Sequence, residues 1–275
     1  SLPTGAIALV EAQGYAYHAA IGGARMLESF GRPGADRLRQ WALELRERFR
    51  QTFWVSDARG RFPAIALDGS KRPIGTATSN PGHLLATGIL APDEIASIAA
   101  RLSEPDLDGG YGLRTMSSDV AGFNPLGYHT GSVWPHDTTI AVGGLAATGH
   151  ARVAASLAGG LMRAAPTFMH RLPELFAGTD ARAGDPVLAY PAACRPIAWA
   201  AAAPIALLQA ALGIDPDVPA GRLRVAPHAA FSAWFPLRID GLRIAGQHLS
   251  VAVSADGRTT VETDAPIAVE AGDAS

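Results

Sequence analysis

The longest apolar stretch of the sequence constrains its fold more than any other feature. Residues 196–214 read "PIAWAAAAPIALLQAALGI" and contain no charged side chain. The stretch is about as long as a membrane-spanning helix, but it is mostly alanine, begins at a proline and contains a second one, Pro204. Because alanine is only weakly lipophilic, we interpret the stretch as a buried helix of a protein that does not span a membrane.

The composition fits a globular protein with a large core. Of the 275 residues, 48% are hydrophobic and 17% are charged, a balance that argues against disorder. The formal net charge is −2, and no basic stripe or polybasic run indicates a nucleic acid or a membrane surface as a partner. The single cysteine, Cys194, excludes an internal disulfide framework and a multi-thiolate metal site, and it favours a cytoplasmic location.

The beginning of the sequence, "SLPTGAIALVEAQG", lacks the basic region of a signal peptide and does not begin with methionine. Two interpretations stay open. The chain is either a fragment of a longer protein or a short natural protein.

Hydrophobic spacing predicts a body of about seven helices that extends to residue 217. The clearest of them follows Gly34, with Leu38, Trp41, Leu45, Phe49 and Phe53 on one face and charged residues on the other. The predicted helices cover residues 7–30, 34–54, 80–90, 91–102, 138–148, 151–169 and 196–212. Alternating short and long connections suit stacked αα-hairpins.

Three other regions have different patterns. Residues 56–80 contain prolines and an Asp-Gly turn, which predict a hairpin, and residues 103–132 and 171–195 read as long loops. Beyond residue 217, short alternating runs broken by Asp-Gly turns predict a small antiparallel β unit. We therefore expect a helical domain over residues 1–217 and a β unit over 218–275, with Trp234 and Phe235 at their contact.

Unusual polar residues concentrate in three segments near predicted helix N-termini, which in an αα-hairpin toroid gather around one mouth. The first segment contains Glu11, Gln13, Tyr15, Tyr17 and His18, the second is the loop around "GYHTGSVWPHD", and the third contains Glu174. Tyrosine and tryptophan stack on sugar rings, while carboxylates, amides, histidine and arginine bind hydroxyls, so a neutral carbohydrate suits the mixture best. The sequence has no phosphate-binding glycine loop and no G-x-S-x-G motif.

Several of these residues also have structural explanations. Glu11 suits the first turn of a helix, and Asp137 suits a helix cap. Arg114 suits the satisfaction of loop carbonyls. Glu174 lies among Leu172, Leu175 and Phe176, so it is either a tuned acid or base or a loop anchor paired with Arg171 or Arg182. The spacing of His129, His136 and Asp137 matches no familiar metal motif, so we expect neither a metal nor a cofactor.

Five motifs together carry a resemblance to a family. They are "GAIALVEAQGYAYHAA", "GLRTMS", "FNPLGYHTGSVWPHDTTIAVGGLAATG", "LPELFAG" and "YPAACRPIAWAAAAPIALLQAALG". In order and spacing the chain resembles the C-terminal catalytic domain of bacterial glycogen-debranching-enzyme-like proteins of the amylo-α-1,6-glucosidase type. The resemblance extends over nearly the whole chain up to about residue 213.

This resemblance implies a mainly α fold, part of an (α/α)6 toroid of the six-hairpin glycosidase type. It implies hydrolysis of an α-glucan or related oligosaccharide by an inverting mechanism with two carboxylates. Glu174 matches the general base. The residues that match substrate contacts are Glu11, Gln13, Arg114, His129, Trp134, His136 and Asp137, with Trp134 as the sugar platform.

The general acid of the family is expected upstream of "VEAQGY", outside this chain, and a complete toroid needs twelve helices. The resemblance therefore implies that the missing N-terminal part of the barrel is a partner, and that the chain alone has little activity. The alternative is a non-catalytic carbohydrate-binding or scaffold module.

Overall fold

A computed structural model describes residues 5–275, so the first four residues of the predicted helical region lie outside the described part. The described chain is mainly α with small sheets, and six segments form α-helices. They are α1 (Val10–Ser29), α2 (Ala35–Thr52), α3 (Pro92–Leu102), α4 (Pro135–Ala147), α5 (Ala151–Ala164) and α6 (Ala198–Leu212). None of these helices is both long and apolar enough to cross a membrane.

The helices pack in two layers, and the first layer is a row. Helix α1, a 3-10 turn at Asn80–Leu84, α4 and α6 touch in that order along the row. Helix α2 packs on α1, α3 contacts the 3-10 turn, and α5 packs on α4. Contacts among their first turns and the 3-10 turn bring the N-terminal ends of α1, α4 and α6 to one side of the molecule.

Two of the helix predictions need correction. Residues 80–90 form only the 3-10 turn at Asn80–Leu84, which is followed by Gly88 with a positive φ of 82°. In α2, Trp41 is 43% exposed and Ala42 is buried instead. The buried stripe passes through Ala42, Leu45 and Phe49 at spacings of three and four, which leaves Trp41 at its edge.

The strands of the helical region form two small sheets. Strands β2 and β3 form one hairpin, and β4 pairs with both β1 and β5, the second of these pairings being the hairpin predicted at the Asp-Gly turn. The Asp-Gly turn at Asp68 connects β4 and β5, and the Asp68 carboxylate accepts hydrogen bonds from the backbone of Ser70 and Arg72. The strands are β1 (Ala8–Leu9), β2 (Trp54–Asp57), β3 (Gly60–Pro63), β4 (Ala66–Leu67) and β5 (Pro73–Ile74).

The C-terminal β unit has two three-stranded sheets, in the orders β10-β9-β8 and β11-β7-β6. It begins at Ile214, slightly before the predicted boundary at 218, and one of its pairings, β11 with β7, is parallel. The other three pairings are antiparallel, as predicted, and the parallel pair departs from the prediction. The chain passes through β8, β9 and β10 between β7 and β11, which is the long connection that parallel pairing requires. The strands are β6 (Ile214–Asp217), β7 (Arg222–Val225), β8 (Leu237–Ile244), β9 (Gln247–Val253), β10 (Thr259–Thr263) and β11 (Ala268–Ala271).

A short 3-10 segment, Ala229–Trp234, joins the β unit to the helices. Phe231 is 1% exposed within the helical core, and Trp234 packs against the same core with its ring centroid 5.1 Å from that of Phe231. Phe235 belongs to the separate core of the β unit. The aromatic contact with the helices is therefore made by Phe231 and Trp234, and not by Trp234 and Phe235.

Replacing Phe231 with alanine should destabilise the protein by about 3–5 kcal/mol, since it leaves a cavity in a fully buried site. Urea denaturation of the wild type and the variant would measure the change in the free energy of unfolding. Phe30→Ala is the matched control, because Phe30 is 72% exposed. Equal effects of the two substitutions would contradict the assignment of Phe231 to the helical core.

Candidate active site

Backbone bridges join the long loops that carry the unusual polar residues. Val133 and Phe176 exchange two backbone hydrogen bonds of 2.9 and 3.0 Å. Further bridges connect Val133 to Arg114 and Phe176 to Ala189. The loop before α4 and the loop after α5 are thereby fixed side by side, with Trp134 next to one end of the central bridge and Glu174 close to the other.

Arg114 lies behind these loops and not at the surface. It is 2% exposed. Its guanidinium donates to the carbonyl oxygens of Pro105 and Gly178 at 2.8 Å each, and to those of Asp106 and Thr179 at 3.3 Å each. The prediction that Arg114 contacts substrate is therefore not supported by its position, and the alternative of a structural arginine that satisfies loop carbonyls fits.

Glu174 is held by neutral donors. Its Oε1 accepts a hydrogen bond of 2.8 Å from the Tyr128 hydroxyl, and its Oε2 accepts one of 3.2 Å from the backbone N–H of Cys194. Glu174 is 6% exposed, and within residues 5–275 it forms no ion pair, while Arg182 pairs with Asp108. The interpretation of Glu174 as an arginine-paired anchor is therefore wrong.

The Tyr128 hydrogen bond lowers the pKa of Glu174 below its usual value; burial acts in the opposite direction, and the Cys194 N–H adds to the lowering. The carboxylate form is therefore favoured near neutral pH. An ionised, buried carboxylate without a cationic partner is suited to accepting a proton from water and is a poor proton donor.

Trp134 is enclosed by neighbouring side chains. It is 7% exposed, and its indole N–H lies 2.9 Å from the carbonyl oxygen of Tyr128 and 3.1 Å from the Ser132 hydroxyl. The exposed His129 ring is stacked on it at 5.4 Å, with an interplanar angle of 12°. Trp134 therefore fixes the loop and does not offer an open platform. Tyr128 and Trp199, which are 40% and 44% exposed, provide the open aromatic surface instead.

His136 lies between the aromatic residues and the carboxylates. Its ring centroid is 5.6 Å from those of both Trp134 and Trp199. Burial lowers the pKa of His136, and the charges of Asp137 and Glu174 oppose that effect without cancelling it. The neutral ring is therefore favoured, with one nitrogen able to donate and the other to accept.

A hydrogen-bonded chain connects α1 to α4. His83 Nε2 is 2.7 Å from Asp137 Oδ1, and His83 Nδ1 is 2.5 Å from the Tyr15 hydroxyl. Beside this chain, the Asn80 amide donates to Glu11 Oε1 at 3.1 Å. Asp137 is in the first turn of α4, but its carboxylate binds His83 instead of capping the helix.

Gln13 is separated from this group. Its side-chain amide donates to the carbonyl oxygen of Leu9 at 2.9 Å, one turn back on α1. Glu11 and Tyr15 are four residues apart and share a helix face, whereas Gln13 is two positions from each and faces elsewhere. The structure therefore does not keep Glu11 and Gln13 together as a sugar-contacting pair.

Three buried polar atoms of this region have no hydrogen-bond partner. They are Glu11 Oε2, Asp137 Oδ2 and His136 Nδ1. A buried polar atom without a partner is costly, so each of these three atoms needs a hydrogen-bond partner from outside the protein, such as a water molecule or a bound ligand. Residues 5–275 contain no cluster of three or more histidine, cysteine or acidic side chains suited to a metal ion.

The structure thus places Glu11, Trp134, His136, Asp137 and Glu174 in one connected group, with His129 at its exposed edge. Sequence reasoning did not single out Asn80, His83, Tyr128 or Trp199. Tyr128 and Trp199 occur inside the motifs that carry the resemblance, which was the available signal for them. Nothing in the sequence around Asn80 and His83 indicated that the 3-10 turn would meet both α1 and α4.

Comparisons with known proteins identify a family for the chain. Residues 4–174 match the family model described as the mannosylglycerate hydrolase MGH1-like glycoside hydrolase domain. No curated protein matches the chain.

Solved structures of glycosidases are similar in fold. The GH63 mannosylglycerate hydrolase of Thermus thermophilus matches with a TM-score of 0.57 and 18% identity, over 73% of this chain and 45% of that chain. Neutral trehalase of Saccharomyces cerevisiae matches with a TM-score of 0.57 and 15% identity, over 74% and 38%. The GH78 rhamnosidase of Bacillus sp. GL1 matches with a TM-score of 0.64 and 14% identity, over 96% and 26%. This chain therefore spans less than half the length of each of them.

Replacing Arg114 with lysine should lower the free energy of unfolding by at least about 2 kcal/mol, because lysine cannot satisfy the same set of buried carbonyls. Thermal and urea denaturation would measure the loss, with Arg37→Lys as the exposed control. Unchanged stability combined with weaker sugar binding would instead support the substrate-contact prediction.

Replacing Tyr128 with phenylalanine should raise the pKa of Glu174, because it removes the hydrogen bond that contributes most to the lowering. Carbon-detected NMR titration of the glutamate carboxyl groups would measure this pKa. Tyr111→Phe is the control, since the Tyr111 hydroxyl donates to the carbonyl oxygen of Asp185. A Glu174 pKa that is unchanged in Tyr128→Phe would show that another group holds the carboxylate ionised.

Proposed function

We propose that this chain, which belongs to the family of mannosylglycerate hydrolase MGH1-like glycoside hydrolase domains, carries the general base of an inverting glycoside hydrolase. The observation that supports this most strongly is Glu174. It is buried beside exposed aromatic rings, and its pKa is lowered by neutral hydrogen-bond donors. A general base must be ionised before it can take a proton from the attacking water, and Glu174 meets that requirement.

In the proposed reaction, water attacks the anomeric carbon while Glu174 takes its proton and a second carboxylic acid protonates the leaving oxygen. The two carboxyl groups of an inverting enzyme lie about 6.5–9.5 Å apart, which leaves room for the water. Asp137 is bound to His83 and Glu11 to Asn80, so both are better suited to binding hydroxyls. We therefore assign the general acid to a segment outside these 275 residues.

The proposed substrate is a glycoside of a small, neutral sugar. Glu11 Oε2, Asp137 Oδ2 and His136 Nδ1 would bind its hydroxyls, and Tyr128 and Trp199 would stack on its C–H faces. The family model and a structural neighbour are named for mannosylglycerate hydrolase, so we place a mannosylglycerate-like glycoside first. An α-glucan, as a debranching-type enzyme would take, is the second candidate and is supported by the "YHTGSVWP" motif.

The proposal includes completion of an (α/α)6 toroid by further helices. Helix α6 has no charged residue, yet Ile205 on its surface is 65% exposed. At the other end of the helix row, Met26 and Trp41 are 62% and 43% exposed. Apolar surfaces of this kind are typical of interfaces, and the N-terminal part of the barrel is the partner that we propose for them. The proposal also includes a division of the chain near residue 217 into a helical domain and a β domain. It places the protein in the cytoplasm.

Replacing Glu174 with glutamine should lower kcat by about 100-fold or more while KM changes little, because the amide cannot accept the proton from water. The measurement is a hydrolysis assay of the purified full-length protein with mannosylglycerate, trehalose and maltooligosaccharides. Glu47→Gln is the matched control, since Glu47 bonds only to Gln51 on the exposed side of α2.

The 275-residue chain assayed by itself should show little or no hydrolysis but retain weak sugar binding. Rapid turnover by this chain would place the general acid within it. Sugar binding without hydrolysis by the full-length protein would favour the alternative of a non-catalytic carbohydrate-binding module.

A further inference from the structure

The 3-10 turn between β5 and α3 contributes a histidine that the proposed mechanism does not use. The His83 side chain is 15% exposed and bridges two elements, with Tyr15 of α1 on its Nδ1 and Asp137 of α4 on its Nε2. Nearby, Glu11 Oε2 and Asp137 Oδ2 are buried acceptors without partners. The region therefore has acceptors without partners. The Tyr15 hydroxyl is the donor in this region that can change its hydrogen-bond partner.

The hydrogen positions follow from the chemistry of the partners. The Asp137 carboxylate can only accept, so His83 Nε2 carries a hydrogen. In neutral His83, Nδ1 is then an acceptor, and the Tyr15 hydroxyl must donate to it. In protonated His83, Nδ1 carries a hydrogen and donates to the Tyr15 oxygen, so the hydrogen of the Tyr15 hydroxyl is free to point elsewhere.

We propose that His83 is a positioning residue for sugar binding, and that its protonation turns the Tyr15 hydroxyl into a donor for the ligand. The proton comes from solvent and binds Nδ1, while Tyr15 keeps its own hydrogen and only changes the direction in which it donates. Each sugar hydroxyl both donates and accepts. A free Tyr15 donor beside the acceptors Glu11 Oε2 and Asp137 Oδ2 therefore matches a pair of neighbouring hydroxyls better than acceptors alone.

The groups that face His83 come from two helices. From α1 they are Tyr15 and the Glu11 carboxylate, and from α4 they are Asp137 and the largely neutral His136. Burial lowers the pKa of His83, but the Asp137 hydrogen bond and the charges of Asp137 and Glu11 outweigh it, so the pKa lies above its usual value. Burial and the same two carboxylates raise the pKa of Tyr15, which keeps its hydroxyl protonated throughout.

Affinity for a sugar should therefore be highest below the pKa of His83 and should fall as the pH rises through it. The size of the change should be about 3- to 10-fold in Kd, the usual worth of one hydrogen bond. This inference takes only one premise from the proposed function, namely that the ligand is a sugar. It does not depend on whether the protein hydrolyses a glycosidic bond.

The test uses glucose as the probe, since a similar mannosylglycerate hydrolase has been solved in complex with glucose. Calorimetry would measure the Kd of glucose for the full-length protein between about pH 6 and about pH 9, a range that spans the titration of a histidine. NMR of the His83 ring would give its pKa in the same samples. We expect the midpoint of the Kd change to coincide with that pKa.

Variants separate positioning from a merely structural role. His83→Gln keeps a donor for Asp137 but cannot titrate, so its glucose Kd should no longer depend on pH. Tyr15→Phe should bind weakly at every pH while His83 still titrates. Tyr111→Phe, a tyrosine outside the site, should keep the wild-type profile.

The proposal is overturned by a wild-type Kd that does not change with pH, by no glucose binding at any pH, or by wild-type pH dependence in Tyr15→Phe. Hydrolysis is assayed separately. Hydrolysis together with a glucose affinity that does not depend on pH would contradict this inference alone. A pH-dependent glucose affinity without hydrolysis would contradict only the proposed catalytic function.

Discussion

The buried guanidinium of Arg114 is the interaction on which the geometry of the site depends. Its nitrogens bind carbonyl oxygens of two chain segments, around Pro105 and around Gly178. The second segment follows Glu174 by only a few residues, and it packs so closely that a Cβ at Gly178 would lie 1.8 Å from the Gly131 carbonyl oxygen. Long loops have few backbone partners of their own, so a buried cation that gathers their carbonyls replaces the hydrogen bonds that a helix or sheet would supply.

Charge is distributed differently in the scaffold and in the site. Arginines pair with the scaffold carboxylates, as Arg101 does with Asp106 at 2.7 Å and Arg50 with Glu94 at 3.3 Å. The carboxylates of the site are bound by neutral or titratable groups instead, namely Tyr128, a backbone N–H, Asn80 and His83. An arginine would occupy the lone pairs that a water or a sugar hydroxyl would reach in the proposed function. The arrangement leaves Glu11 and Asp137 each with one free oxygen.

The site takes side chains from every member of the helix row, which consists of α1, the 3-10 turn, α4 and α6. Glu11 and Tyr15 come from α1, His83 from the turn, His136 and Asp137 from α4, and Trp199 from α6. Each helix contributes one or two side chains near its N-terminal end. Because the helices are held by a shared apolar core, a change in that core would move several site residues at once.

The sequence by itself determined the elements whose signals are local. Pro92 and the acidic residues after it mark the start of α3, and the uncharged alanine-rich run specifies α6, because capping and periodicity act within one or two helical turns. The motif around "YHTGSVWP" and the apolar setting of Glu174 also predicted residues that the structure places in one connected group. Only the tertiary structure decided which side chains are exposed and which are covered: Trp41 is exposed, Arg114 is buried, and Trp134 is covered by His129. It also decided that Gln13 turns away from Glu11 and that β11 runs parallel to β7. It also brought His83 between Tyr15 and Asp137, a meeting of residues far apart in sequence. Such partnerships depend on how helices and loops pack across the core, and no short window of sequence contains that information.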